Sequence, residues 1–188
     1  MAVRHVARMG NPVLRLAAEA VPVEVIRSKA FQRFLDDLLE SMIEHDGTGL
    51  AAPQVFESVR AVVFCFDDSD PIFLVNPVIT PISEERRDGY EGCLSVPGLR
   101  GKVSRWMDIR VDALDRDGKP FAFEAHGWPA RIVQHECDHL DGVLYVDRAE
   151  PGSLAFLSEF RRFGPPIPLP KGHEDEEDED PEDDGDEE

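Results

Sequence analysis

Apolar side chains recur at helical spacing from Ser28 to Glu44, with Phe31, Phe34, Leu35, Leu38, Leu39, Met42 and Ile43 on one face of a 3.6-residue repeat. Ser28 stands where an N-cap belongs and Gly47 follows the last turn, so the spacing predicts one amphipathic helix lying on a core. The pattern then changes. Segments 60–66 and 72–75 are short apolar runs that predict two strands, joined by the acidic turn Asp67-Asp68-Ser69-Asp70. Residues 109–113 and 121–123 alternate at strand period around Asp115-Arg116-Asp117-Gly118, a hairpin sequence. A second helix is expected over 129–140, stopped by Gly142, with 143–146 leading out of it. Pro151 opens a last predicted helix in which Leu154, Leu157 and Phe160 share a face. The run Gly164-Pro165-Pro166-Ile167-Pro168-Leu169-Pro170 then forces extended chain. This order of helix, strands and helix, without an internal repeat, reads as α+β.

Length and charge sharpen the boundaries. A chain of 188 residues suits one domain with an ordinary core. The formal charge of −19 is concentrated, because thirteen acids fall between Glu174 and Glu188, which leaves −6 for the rest. That tail has no apolar residue to bury and repels itself, so a domain over 1–164 is expected, followed by a Pro-rich linker and disordered acidic tail over 165–188. The acidity argues against general affinity for nucleic acid. Three cysteines without framework spacing point to a reducing, cytoplasmic setting, and no apolar run reaches membrane-spanning length.

The chemistry is concentrated in Gln134-His135-Glu136-Cys137-Asp138-His139-Leu140-Asp141-Gly142. On a helix, His135 and His139 lie one turn apart and converge on one cation, and Glu136 stands close enough to reach a water on it. Upstream, Glu91-Gly92-Cys93-Leu94-Ser95 offers a thiol, and Gly47-Thr48-Gly49-Leu50-Ala51-Ala52-Pro53-Gln54 a glycine-rich bend ending in a primary amide. In this order and spacing the three segments resemble the signature motifs of the peptide deformylase family, from about Arg4 to about Arg148. The pattern beginning near Arg4 leaves no residues for a cleaved presequence, although Arg4, Arg8 and Arg15 faintly suggest one.

The resemblance implies a single domain with mixed or antiparallel strands packed around a central metal-binding helix. It implies a metallohydrolase that removes the N-formyl group from the N-terminal methionine of nascent polypeptides and releases formate. Cys93, His135 and His139 are then the metal ligands, leaving an open position for water. The soft thiolate suits Fe2+, which the family favours, with Zn2+, Ni2+ or Co2+ as substitutes. Glu136 becomes the proton carrier, and the Gln54 amide and Leu94 backbone N–H meet the charge developing on oxygen. Gly47 and Gly49 admit the substrate backbone. Trp128, Arg131 and Ile132, with Thr48 and Gly89 opposite, are placed to line the methionine pocket, although Thr48 and Arg131 are more polar than a thioether needs. A monomer is expected, with formyl-methionyl chains, and the ribosome through them, as partners.

The remaining residues read plainly. Cys65 and Cys137 fit a core, Asp138 fits either a surface carboxylate or an ion pair with an arginine such as Arg100, and His5, His45, His126 and His173 match no ligand spacing. A zinc endopeptidase would usually place its third ligand downstream of the helix, and a structural site would need a fourth ligand.

Overall fold

The structure, a computed structural model, describes residues 2–66 and 70–164; the expected linker and tail, and most of the acidic turn at 67–70, lie outside them. The helices are α1 (Val23–Ile26), α2 (Lys29–Glu44), α3 (Gly127–Leu140), α4 (Tyr145–Arg148) and α5 (Leu157–Phe163). The strands are β1 (Gly49–Ala51), β2 (Ala61–Phe64), β3 (Ile72–Pro81), β4 (Arg86–Cys93), β5 (Val96–Trp106), β6 (Asp108–Leu114), β7 (Pro120–His126) and β8 (Ala155–Phe156). They form a five-stranded antiparallel sheet in the order β1-β2-β3-β6-β7 and a three-stranded one in the order β4-β5-β8.

The periodic helix forms, although Ile43, counted on its apolar face, is exposed. Ser28 Oγ accepts from the Phe31 amide at 3.2 Å, and Phe31, Phe34, Leu35, Leu38 and Met42 are buried. They pack on Ala61, Val63 and Val75 of the larger sheet, while Val62, Phe64 and Leu74 face the other way, onto Ala130, Val133, Cys137 and Leu140 of α3. Strand β2 is therefore buried on both faces, which is why its residues read as an unbroken apolar run. The hairpin also holds: Asp115 Oδ1 accepts from the amides of Asp117 and Lys119, each at 2.8 Å, and Gly118 adopts a φ of 73° that suits glycine.

Helix α3 is central, with the larger sheet on one side and β5 on another. Every residue from Val133 to Leu140 is buried, polar ones included. A helix enclosed on all sides must satisfy its polar groups internally, and those groups build the site.

Two expectations need correction. The last helix does not start at Pro151: residues 151–154 are not helical, β8 follows, and α5 begins at Leu157, so exposed Leu154 shares no helical face with buried Phe160. The stretch from 86 to 106 escaped strand prediction and is a long hairpin, β4 on β5, whose inward positions include Gly101, Val103 and the charged Arg105. Among the described residues no helix is long and apolar enough to cross a membrane.

Candidate metal centre and active site

Two candidate ligands come from consecutive turns of α3 and the third from the end of β4. One ligand atom from each of Cys93, His135 and His139 lies within 4.8 Å of the other two, and Cys93 Sγ is 3.2 Å from His139 Nε2. His135 Nδ1 is held by Glu91 Oε2 at 2.9 Å, which fixes the ring and leaves Nε2 for a cation. A soft thiolate with two imidazoles, one of them backed by a carboxylate, is a donor set that fits a divalent transition metal.

Glu91 was not singled out in the sequence, although it opens the cysteine motif. Arg105 donates to both its oxygens, at 3.0 and 2.9 Å, and Arg131 Nη1 donates to Oε1 at 2.7 Å. Arg105 also reaches Asp138 at 2.5 Å, and Arg148 binds both Asp138 oxygens at 2.7 Å. Asp138 therefore pairs with Arg105 and Arg148; it is not the surface carboxylate the sequence also allowed, and Arg100, the arginine offered as an example, lies instead over Gly92. Burial opposes charge on Glu91, but the hydrogen bonds from His135 and Arg105 win and hold its carboxyl well below the usual range.

Glu136 has the opposite environment. It is buried, its Oε2 has no hydrogen-bond partner, and burial pushes its carboxyl up to about 7 against the attraction of His135. Gly49 creates the room it occupies, since a Cβ there would lie 2.7 Å from Glu136 Oε1. Gln54 is fixed from both ends: its Oε1 accepts from the Ala51 amide at 2.8 Å, and its Nε2 donates to Ser95 Oγ at 3.1 Å and toward Cys93 Sγ at 3.5 Å. The donor end of the amide thus faces the centre.

A cavity of about 450 Å3 opens onto these groups. Gly47, Thr48, Gly49, Leu94, Trp128, Arg131 and Ile132 line it. Gly89 is not in its lining. It sits behind Arg131, where a Cβ would meet Cζ at 2.8 Å, and its missing side chain lets the guanidinium settle on β4. There Arg131 also donates to the carbonyls of Val103 at 2.9 Å and Arg87 at 2.7 Å, which accounts for a polar residue in this wall. Cys137 packs in the core behind α3, and Cys65 packs partly buried against the α2 core. His126 pairs with Asp108 at 2.7 Å and His45 Nε2 lies 3.2 Å from the Arg4 carbonyl, both outside the centre; His173 lies beyond the described residues.

Residues 3–154 match the family model described as polypeptide deformylase. The chain belongs to the polypeptide deformylase family. As a member it is an enzyme, a deformylase of polypeptides. It is 43% identical over 175 residues to peptide deformylase 1 of Prochlorococcus marinus (strain MIT 9313), covering 87% of this chain and 90% of that one. Peptide deformylase 2 of Pseudomonas syringae pv. tomato is 40% identical over 171 residues, with 86% and 91% covered. Among solved structures, an actinonin-bound class I type b peptide deformylase from Acinetobacter baumannii is similar, with a TM-score of 0.75, 39% identity, and 80% of this chain and all of that one covered. A deformylase from Legionella pneumophila gives a TM-score of 0.76 at 36% identity, over 86% of this chain and 92% of that one. The α+β fold with a central helix is the fold of these deformylases.

Proposed function

We propose that this deformylase removes the formyl group from N-terminal formyl-methionine of nascent chains, with Fe2+ held by Cys93, His135 and His139. The observation that carries the mechanism is the unpartnered, buried Glu136 Oε2 beside those three donors. A divalent cation held by Cys93, His135 and His139 would supply Lewis acidity, making water more acidic and polarising a carbonyl. Glu136 receives the proton of the attacking water and returns it to the departing amine, and its burial, which disfavours the charged form, helps it to take up that proton. The Gln54 amide donates to the substrate oxygen as it gains charge, with the Leu94 backbone N–H as second donor. The formyl C–N bond breaks, and formate and a free N-terminus leave.

Substrate backbone lies along Gly47, Thr48 and Gly49, and the methionine side chain enters between Trp128 and Ile132, against Arg131 and the aliphatic parts of the wall. Gly89 serves this pocket indirectly, by seating Arg131. Zn2+, Ni2+ or Co2+ replaces iron at the same donors. The enzyme acts as a cytoplasmic monomer that meets its substrates as they leave the ribosome. The catalytic domain is 1–164, and 165–188 is an appendage to it. The test is incubation of purified protein with a formyl-methionyl peptide, following formate and peptide mass together. Formate release with an intact peptide chain supports the reading, and cleavage of an internal peptide bond would replace it with an endopeptidase.

A further inference from the structure

The match to the family model stops at residue 154, yet the wall of the cavity does not. Leu157, the first residue of α5, lines the same cavity as Tyr90, Cys93, Arg100 and Glu136. The segment that carries it is fastened to the β4–β5 hairpin at several points. Strand β8 pairs Ala155 with Arg100 and Phe156 with Leu99. Ser153 Oγ accepts from the Lys102 amide at 2.9 Å. Phe160, 5% exposed, lies with its ring centroid 4.5 Å from that of Tyr90. Tyr90 is three residues before the ligand Cys93, so the clasp is anchored on the strand that delivers the thiolate.

We infer that Leu157 forms the contact surface for the side chain of the residue following the formylated methionine, and that Phe160 positions it by clasping α5 onto Tyr90. The inference rests on the deformylase reading above. The first side chain is assigned to the wall formed by Trp128, Arg131 and Ile132 on α3. Leu157 enters from a different element, beside Arg100 and Tyr90 on the hairpin and apart from the wall assigned to the first side chain, so it is open to the next residue of the peptide. It is half-buried and aliphatic, and it adds apolar surface at the end of the cavity where its neighbours on the hairpin are Tyr90 and Arg100. Apolar second residues are therefore favoured over glycine, chiefly through binding.

The test compares formate release from formyl-Met-Leu-Ser and formyl-Met-Gly-Ser by the intact holoenzyme. In Leu157→Ala the ratio of kcat/KM for the first peptide over the second should fall about fivefold, mainly through KM, as for loss of part of a hydrophobic pocket. Leu157→Met should restore most of the ratio, and Phe160→Ala should lower it with metal content unchanged. An unaltered ratio in Leu157→Ala overturns the assignment, whatever Phe160→Ala does. If the unmodified enzyme releases no formate from either peptide, the deformylase reading itself has failed.

Discussion

Gly49 stands so close to Glu136 that a Cβ on it would fall 2.7 Å from Oε1 and 2.8 Å from Cγ. The glycine of the first motif thus makes space for the carboxylate delivered by the third. Gly49→Ala should displace the carboxylate and lower kcat about a hundredfold, because small misplacements of a reacting group cost that much. Metal content, measured by elemental analysis, should stay at one equivalent per chain, since no ligand moves.

Glu136→Ala and the ligand variants separate two kinds of loss. Without its proton carrier the enzyme should keep its metal and lose about 10²–10⁴ in turnover. Cys93→Ala and His139→Ala should lose both together. Full metal occupancy in Cys93→Ala would remove Cys93 from the ligand set, and an empty site in Glu136→Ala would make Glu136 a ligand.

The arginine–carboxylate chain behind His135 should separate stability from metal affinity. Arg105 and Glu91 are each only 4% exposed in their side chains, so Arg105→Met removes one buried partner from two carboxylates, leaving Glu91 to Arg131 and His135 and Asp138 to Arg148. Breaking a buried pair outright costs about 3–5 kcal/mol, and with these partners left the loss should lie at or below the low end of that range, a clear fall in the denaturant midpoint. Glu91→Gln should be milder in stability and weaken metal binding about 10–100-fold, because the amide orients His135 less strongly. Equal metal affinity in Glu91→Gln and the unmodified chain would mean that the carboxylate serves folding only.

Activity of the iron-loaded enzyme should decay in air, since the cavity that admits substrate also admits oxidant and the Cys93 thiolate can be oxidised. Loading with Ni2+ or Co2+ should slow the decay. Identical half-lives for all metals, followed by formate release, would count against iron as the sensitive form.

Truncation after Lys171 should leave turnover of a short formyl-methionyl peptide within about twofold, because the site is built entirely from residues before 158. Ribosome affinity at low salt reports separately on the thirteen removed acids. It should rise if they only repel phosphates and fall if they engage a basic ribosomal protein.

The order of chemical groups along the chain was legible from residue types. His135 and His139 are one helical turn apart whatever surrounds them, Ser28 can cap only the helix that follows it, and the apolar period of α2 follows from local geometry. Strand β2 was equally plain, because burial on both faces leaves an uninterrupted apolar run. The β4–β5 hairpin was not, since Gly89, Gly92, Gly98 and Gly101 interrupt its pattern and Arg105 points inward, where alternation calls for an apolar side chain. Charge at an inward position is acceptable only when partners arrive from elsewhere, here Glu91 from the paired strand and Asp138 from α3. The same limit applies to Asp138, whose partners lie at Arg105 and Arg148, and to Gly89 and Gly49, whose value lies in what fills the space beside them. Local rules act over a turn or a strand pair. Which buried charge meets which, and which glycine leaves room for which side chain, depends on how separate segments pack, as with Arg105 and Asp138 from β5 and α3, and only the tertiary structure decides that.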